Sequence, residues 1–140
     1  MGDPTGGTGP ARGVHQILPA LHHGSAVGNE ARTWRGHLRN AGFETEIFAG
    51  AVDHEIAAEG HPLGEWPGGD PGVATVFHYG PGSIVGRRAA EARGPLVIRY
   101  HNVTPAALLA PYAPGPARLA VEARAELGAL CRRAALGLGV

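Results

Sequence analysis

Apolar residues change their period along this chain, and each change marks an element. Gly13–Leu18, GVHQIL, is a short extended run that Pro19 closes. From Asn29 to Ala41, the residues Ala31, Trp34, Leu38 and Ala41 recur at spacings of three and four. That is the stripe of an amphipathic helix, with Arg32, Arg35 and Arg39 on its other faces. Ser25 is placed to cap this helix and Gly42 to stop it. Phe43–Phe48 alternates inward and outward residues, as a strand does. Residues 49–71, interrupted by glycines and by Pro62, Pro67 and Pro71, hold no periodicity. They predict a long irregular connection with at most one helical turn near Asp53–Glu59, and loops of that length are usually functional or mobile.

Val73–His78 then reads as a buried strand, Ser83–Arg93 as a helix and Pro95–Tyr100 as another strand. The unbroken Leu96-Val97-Ile98 run fits a strand covered on both faces. Thr104 is expected to cap a short helix that opens on Pro105 and ends near Leu109. Ala117–Ala134 predicts a longer helix, with Leu119, Val121, Ala125, Leu127 and Leu130 on one side. Ala135–Val140 begins one more strand. Residues 1–12 read as a flexible tail and 13–140 as one domain. Strands alternating with helices predict an α/β fold: an open, mostly parallel, Rossmann-like sheet flanked by helices. Ligands of such sheets lie outside the carboxyl ends of the strands. The loops after Leu18, Phe77 and Tyr100 are therefore the candidates.

Composition narrows the partners. The 140 residues suffice for a single hydrophobic core, and 44% of them are hydrophobic. Formal net charge is zero, so nothing favours nucleic acid. All twelve basic residues are Arg, a bias that fits coding at high GC content. A lone cysteine, Cys131, excludes an internal disulfide and a CxxC metal knuckle, which suggests a reducing, cytoplasmic compartment. No stretch reaches the roughly 20 apolar residues of a membrane helix, and the N-terminus is not a secretory signal.

Three constellations carry candidate chemistry. In VFHYGPGSIVG, Gly80-x-Gly82-x-x-x-Gly86 is one residue longer than the dinucleotide fingerprint. That fingerprint also wants a carboxylate about 20 residues on, where this chain has Arg99, Tyr100 and His101. The glycines then either turn a strand into a helix or line a cleft for a polar ligand. The loop His22-His23-Gly24-Ser25-Ala26-Val27-Gly28-Asn29 is small enough for its amides to approach an anion at a helix N-terminus. His22 and His23 have no third ligand at helical or hairpin spacing, so no metal is expected. Ser83 lies in no Gly-x-Ser-x-Gly elbow. His101 follows a buried strand, at the rim where ligands bind.

Taken together, the segments VHQILPALHHGSAVGNEARTWRGHLRNAGFETEIFAG (14–50), VFHYGPGS (76–83) and VIRYHNVTPAALLAPY (97–112) resemble the N-terminal domain of family 4-like glycosyltransferases of the GT-B fold. The run Tyr100-His101-Asn102-Val103-Thr104-Pro105 is similar to a YHNITP-like run of that family. The resemblance implies a retaining enzyme that moves a sugar from a nucleotide-sugar donor to an acceptor, in a cleft between two Rossmann-like domains. It implies no cofactor and no metal. His101 would be the catalytic residue, touching the donor sugar. Gly24, Ser25, Asn29, His78, Tyr79, Asn102 and Thr104 would bind substrate, with the HYGPGS turn on the acceptor side. The donor-binding domain, with its basic pair and E-x7-E motif, is not in this sequence, so the fragment alone is expected to be inactive. The implied partners are the sugar donor, the acceptor and that missing domain, with peripheral membrane attachment left open. The alternative is a stand-alone nucleotide- or partner-binding α/β module without catalysis.

Overall fold

A computed structural model describes residues 11–80, 84–102 and 104–139. Expectations for the tail before Ala11, and for Gly82, Ser83, Val103 and Val140, lie outside the described residues. Six strands form one sheet: β1 (Gly13–Leu21), β2 (Ile47–Val52), β3 (His61–Pro62), β4 (Val73–Tyr79), β5 (Leu96–Tyr100) and β6 (Leu136–Leu138). The helices are α1 (Ala26–Asn40), α2 (Ile84–Ala90), α3 (Ala106–Leu109) and α4 (Pro114–Arg133), with 3-10 turns at His54–Glu59 and Leu63–Glu65. The strand order is β3-β2-β1-β4-β5-β6, and every pairing is parallel. The α/β class and the open Rossmann-like sheet expected from the pattern are both present. Strand order reverses between β1 and β4, the place where open α/β sheets take their ligands.

The sheet separates two cores. On one face Ile17, Phe48, Phe77, Tyr79, Leu96 and Ile98 pack with Val85 and Ala89 of α2 and Ala120, Ala123 and Leu130 of α4. On the other, Leu18, Leu21, Ile47 and Ala49 pack with Ala31 of α1. Because side chains alternate along a strand, one residue of register decides which core each joins.

Several boundaries differ from the sequence expectation for physical reasons. β1 continues through Pro19 to Leu21. Its ladder with β4 ends at Ile17–Phe77, while its ladder with β2 resumes beyond the proline at Ala20–Ala51. Pro19 has no N–H to donate, and the chain accommodates it with small neighbours. A Cβ on Gly50 would lie 2.7 Å from the Pro19 carbonyl oxygen, and one on Gly80 would lie 2.7 Å from Pro19 Cγ. α1 starts at Ala26, three residues earlier than its apolar stripe. Ser25 does cap it, accepting the Gly28 N–H at 3.0 Å, and Gly42 follows its end at φ +88°. β2 begins at Ile47, later than the alternation suggested, with Glu44 making only an isolated bridge to Gly13.

Two helix expectations are corrected. Pro105, not Thr104, is the N-cap of α3, with no side-chain cap bond. The buried face of α4 is Ala117, Ala120, Ala123 and Leu130, whereas Leu119 and Val121 are exposed. Bulk misled there. Alanines at a spacing of three, Ala117, Ala120 and Ala123, lead that face and allow α4 to lie close against its neighbours, and Leu130 is buried as expected.

Candidate functional site

A polar cluster lies on the α1 side of the sheet, near the carboxyl ends of β4 and β5. Its centre is His78, at 0% exposure. His78 alternates with Phe77 and so faces away from the large apolar core. The Gln16 amide nitrogen donates to the Ala31 carbonyl at 2.8 Å, which turns Gln16 Oε1 toward His78 Nε2, also at 2.8 Å. An amide oxygen only accepts, so His78 carries its proton on Nε2. Burial, aided by the charges of His101 and Arg99, pushes the His78 pKa down to about 3. The ring is neutral, and its Nδ1 is a bare lone pair.

That lone pair meets His101 Nε2 at 2.9 Å. The two rings are tilted by only 22°, consistent with an N–H···N hydrogen bond in which His101 donates. The other His101 nitrogen, Nδ1, lies 3.3 Å from Glu30 Oε2 on the first turn and a half of α1. Glu30 Oε1 accepts from Arg99 Nε at 2.8 Å. Burial lowers the His101 pKa, the Glu30 carboxylate raises it and Arg99 lowers it again, with a net downward result. The edge of Trp34 closes the cluster, its ring centroid 5.7 Å from that of His78. Glu30, His78 and His101 each offer one ligand atom, and the three atoms lie within 4.8 Å of one another.

The loop after β1 is built separately. Gly24 turns it at φ +74°, where a side chain would be strained. Asp53, at the end of β2, ties the loop down: its carboxylate contacts His22 Nδ1 at 2.8 Å and accepts the His23 N–H at 2.9 Å. The His22 hydrogen bond, followed by that backbone bond, holds the Asp53 carboxyl below its ordinary range. Asn29 lies exposed on α1 and accepts from Arg32.

Gly24, His78 and His101 thus lie toward the same carboxyl edge of the sheet. Four other expected residues do different work. The Ser25 hydroxyl is committed to the helix cap. Tyr79 faces the opposite side of the sheet, where it is buried and its hydroxyl donates to the Ala123 carbonyl of α4. It does not line the cluster, and burial pushes its pKa up to about 12. Asn102 is exposed and shapes the chain, adopting φ 73° and meeting the Tyr100 hydroxyl at 3.4 Å. Asn is among the few residues that enter that region readily. Thr104 is exposed and caps nothing.

Of the glycines in GPGSIVG, the two described ones, Gly80 and Gly86, pack against other parts of the chain. Gly80 makes room for Pro19, and a Cβ on Gly86 would strike the Glu126 carboxylate of α4. Sequence reasoning missed Gln16, Glu30, Arg99 and Asp53. Gln16 and Arg99 did leave a signal, as polar residues inside apolar strand runs. No family model, curated protein or solved structure matches the chain.

Proposed function

We propose that this chain is the acceptor-side domain of a retaining GT-B glycosyltransferase of the family 4 kind. One observation supports it most. His101 of the YHNVTP segment meets Glu30, the residue that directly follows GSAVGN, near the carboxyl edge and the reversal of strand order. The parent enzyme moves a sugar from a nucleotide-sugar donor, a substrate and not a cofactor, to an acceptor held by this domain. The donor-binding domain comes from elsewhere, in the same polypeptide or another. Half a cleft cannot hold both substrates, so residues 1–140 alone transfer nothing; proximity alone supplies on the order of 7–11 kcal/mol in favourable cases.

In this scheme His101 is the catalytic residue, hydrogen-bonding the donor sugar beside the bond that breaks. Both of its ring nitrogens face groups of the chain itself. The longer contact, to Glu30, is the one a sugar hydroxyl replaces, while His78 and Gln16 keep the ring in place. Gly24 and Asn29 border the acceptor. Cytoplasmic nucleotide sugars match the single, exposed, unpaired Cys131. Among the described residues, no helix is long and apolar enough to cross a membrane.

Two measurements test the proposal. Calorimetry of the chain with nucleotide sugars and simple glycans should show no tight nucleotide binding; submicromolar nucleotide affinity would instead favour a stand-alone nucleotide-binding module. With a donor-binding domain supplied, His101→Ala should cut transfer on the order of a hundredfold or more, the usual scale for losing one aimed donor. Wild-type rates in that variant would remove His101 from the mechanism.

A further inference from the structure

We infer that Glu30, His78 and His101 form a binding site for one divalent transition-metal ion of the Zn2+ class. The site draws on the same three side chains as the glycosyltransferase scheme, which uses no metal, and its test reads metal binding alone, apart from any transfer. Two imidazoles and one carboxylate are a ligand set that such ions favour, with further positions left to water. Here the three ligand atoms already lie within 4.8 Å of one another. They come from α1, β4 and the end of β5, three elements that the fold holds together.

The surroundings resemble a prepared metal site. Ligating histidines usually donate their other ring N–H to a fixed acceptor, which orients the ring. His78 does so, to Gln16 Oε1 at 2.8 Å, and Gln16 is itself anchored on the Ala31 carbonyl. That leaves the His78 Nδ1 lone pair aimed at the cluster. Glu30 is steadied by Arg99 through its other oxygen. Arg99 also opposes an incoming cation, so the affinity is set by the imidazoles more than by charge.

Proton bookkeeping points the same way. Two contacts meet at His101: Nε2 against His78 Nδ1 at 2.9 Å and Nδ1 against Glu30 Oε2 at 3.3 Å. The His78 N–H is aimed at Gln16, and Glu30 Oε2 faces His101 as an acceptor. A singly protonated His101 ring has one N–H for these two acceptor-facing contacts, and an ion held among the three replaces the missing one. The His78–His101 separation is that of a hydrogen bond. Two nitrogens bound to one zinc, each at roughly 2.0–2.1 Å, stand farther apart. Binding therefore moves the His101 ring outward and turns it, at a strand end.

The test is titration of the whole metal-free chain with Zn2+ and with Co2+, read by calorimetry and by visible Co2+ absorption. One equivalent should bind, with the absorption of a low-coordinate nitrogen–oxygen site, and Mg2+ should not compete. Glu30→Gln and His101→Asn, both at partly exposed positions, should each weaken binding at least tenfold while circular dichroism stays native. His22→Ala and His61→Ala, which remove surface histidines beside carboxylates, should leave binding unchanged. Equal affinity in wild type and Glu30→Gln, or loss only in the surface variants, would overturn the site. So would no binding by a folded wild-type chain.

Discussion

The two faces of the sheet are built on opposite principles. Under α2 and α4, Ile17, Phe48, Phe77, Leu96 and Ile98 form an apolar layer whose contacts have no directional partner. Under α1, the same strands turn Gln16, His78 and Arg99 inward, and each polar group depends on specific named partners. An apolar layer tolerates shape changes at graded cost, whereas a polar network fails at the atom left unpaired. One strand supplies both faces. Phe77 and His78 are neighbours in sequence and belong to different chemistries.

The largest effect should come from the apolar side. Phe77→Ala removes a fully buried ring that meets Tyr79 edge-on, at 5.6 Å between centroids. It should cost about 3–5 kcal/mol in denaturant unfolding; a loss below 1 kcal/mol would mean that this face is not the main core. Next comes Gln16→Leu, which keeps the volume but strands the His78 Nε2–H in the interior. About 1–3 kcal/mol is expected, together with a changed His101 imidazole signature in nitrogen-15 NMR. Unchanged stability and spectra would show the polar side to be as forgiving as the apolar one.

The smallest effect concerns a carboxylate set against the apolar side, that of Glu126. Glu126 reaches over Gly86, and its Oε1 has no hydrogen-bond partner among the described residues. Burial raises its pKa above the ordinary value of 4.5, with Arg87 pulling the other way. A group that binds its proton more tightly when folded stabilises the protein at acid pH and loses that contribution as pH rises through the raised pKa. Glu126→Gln should therefore be more stable than wild type at neutral pH and equal to it near pH 3. A difference that grows toward acid would reverse the sign.

Much of the scaffold was legible because local chemistry and long-range packing agree. Ser25 and Gly42 bracket α1 by cap and stop, and the Leu96-Val97-Ile98 run lies where a covered strand belongs. The departures arise where distant residues decide. Nothing local shows that Gly50 and Gly80 make room for Pro19 inside a central strand. The side taken by Tyr79 follows from the register of β4 against β1 and β5, which a single strand does not contain. For the candidate site, His78 and His101 were visible as rim histidines. Glu30 was not: it looks like an ordinary charge on a solvated helix until α1 is packed on β1 and this side chain reaches Arg99 and His101.

Pro19 also gives the molecule a seam. Beyond Ile17–Phe77 the rungs between the two central strands stop, while β4 stays laddered to β5 as far as Tyr79–Tyr100. Backbone rungs thus join the two central strands only along their lower length, and above them the β3-β2-β1 leaf and the β4-β5-β6 leaf are tied through the Gln16–His78 side-chain bond. His78 is the first residue above the last rung, and Glu30 reaches across from the opposite leaf.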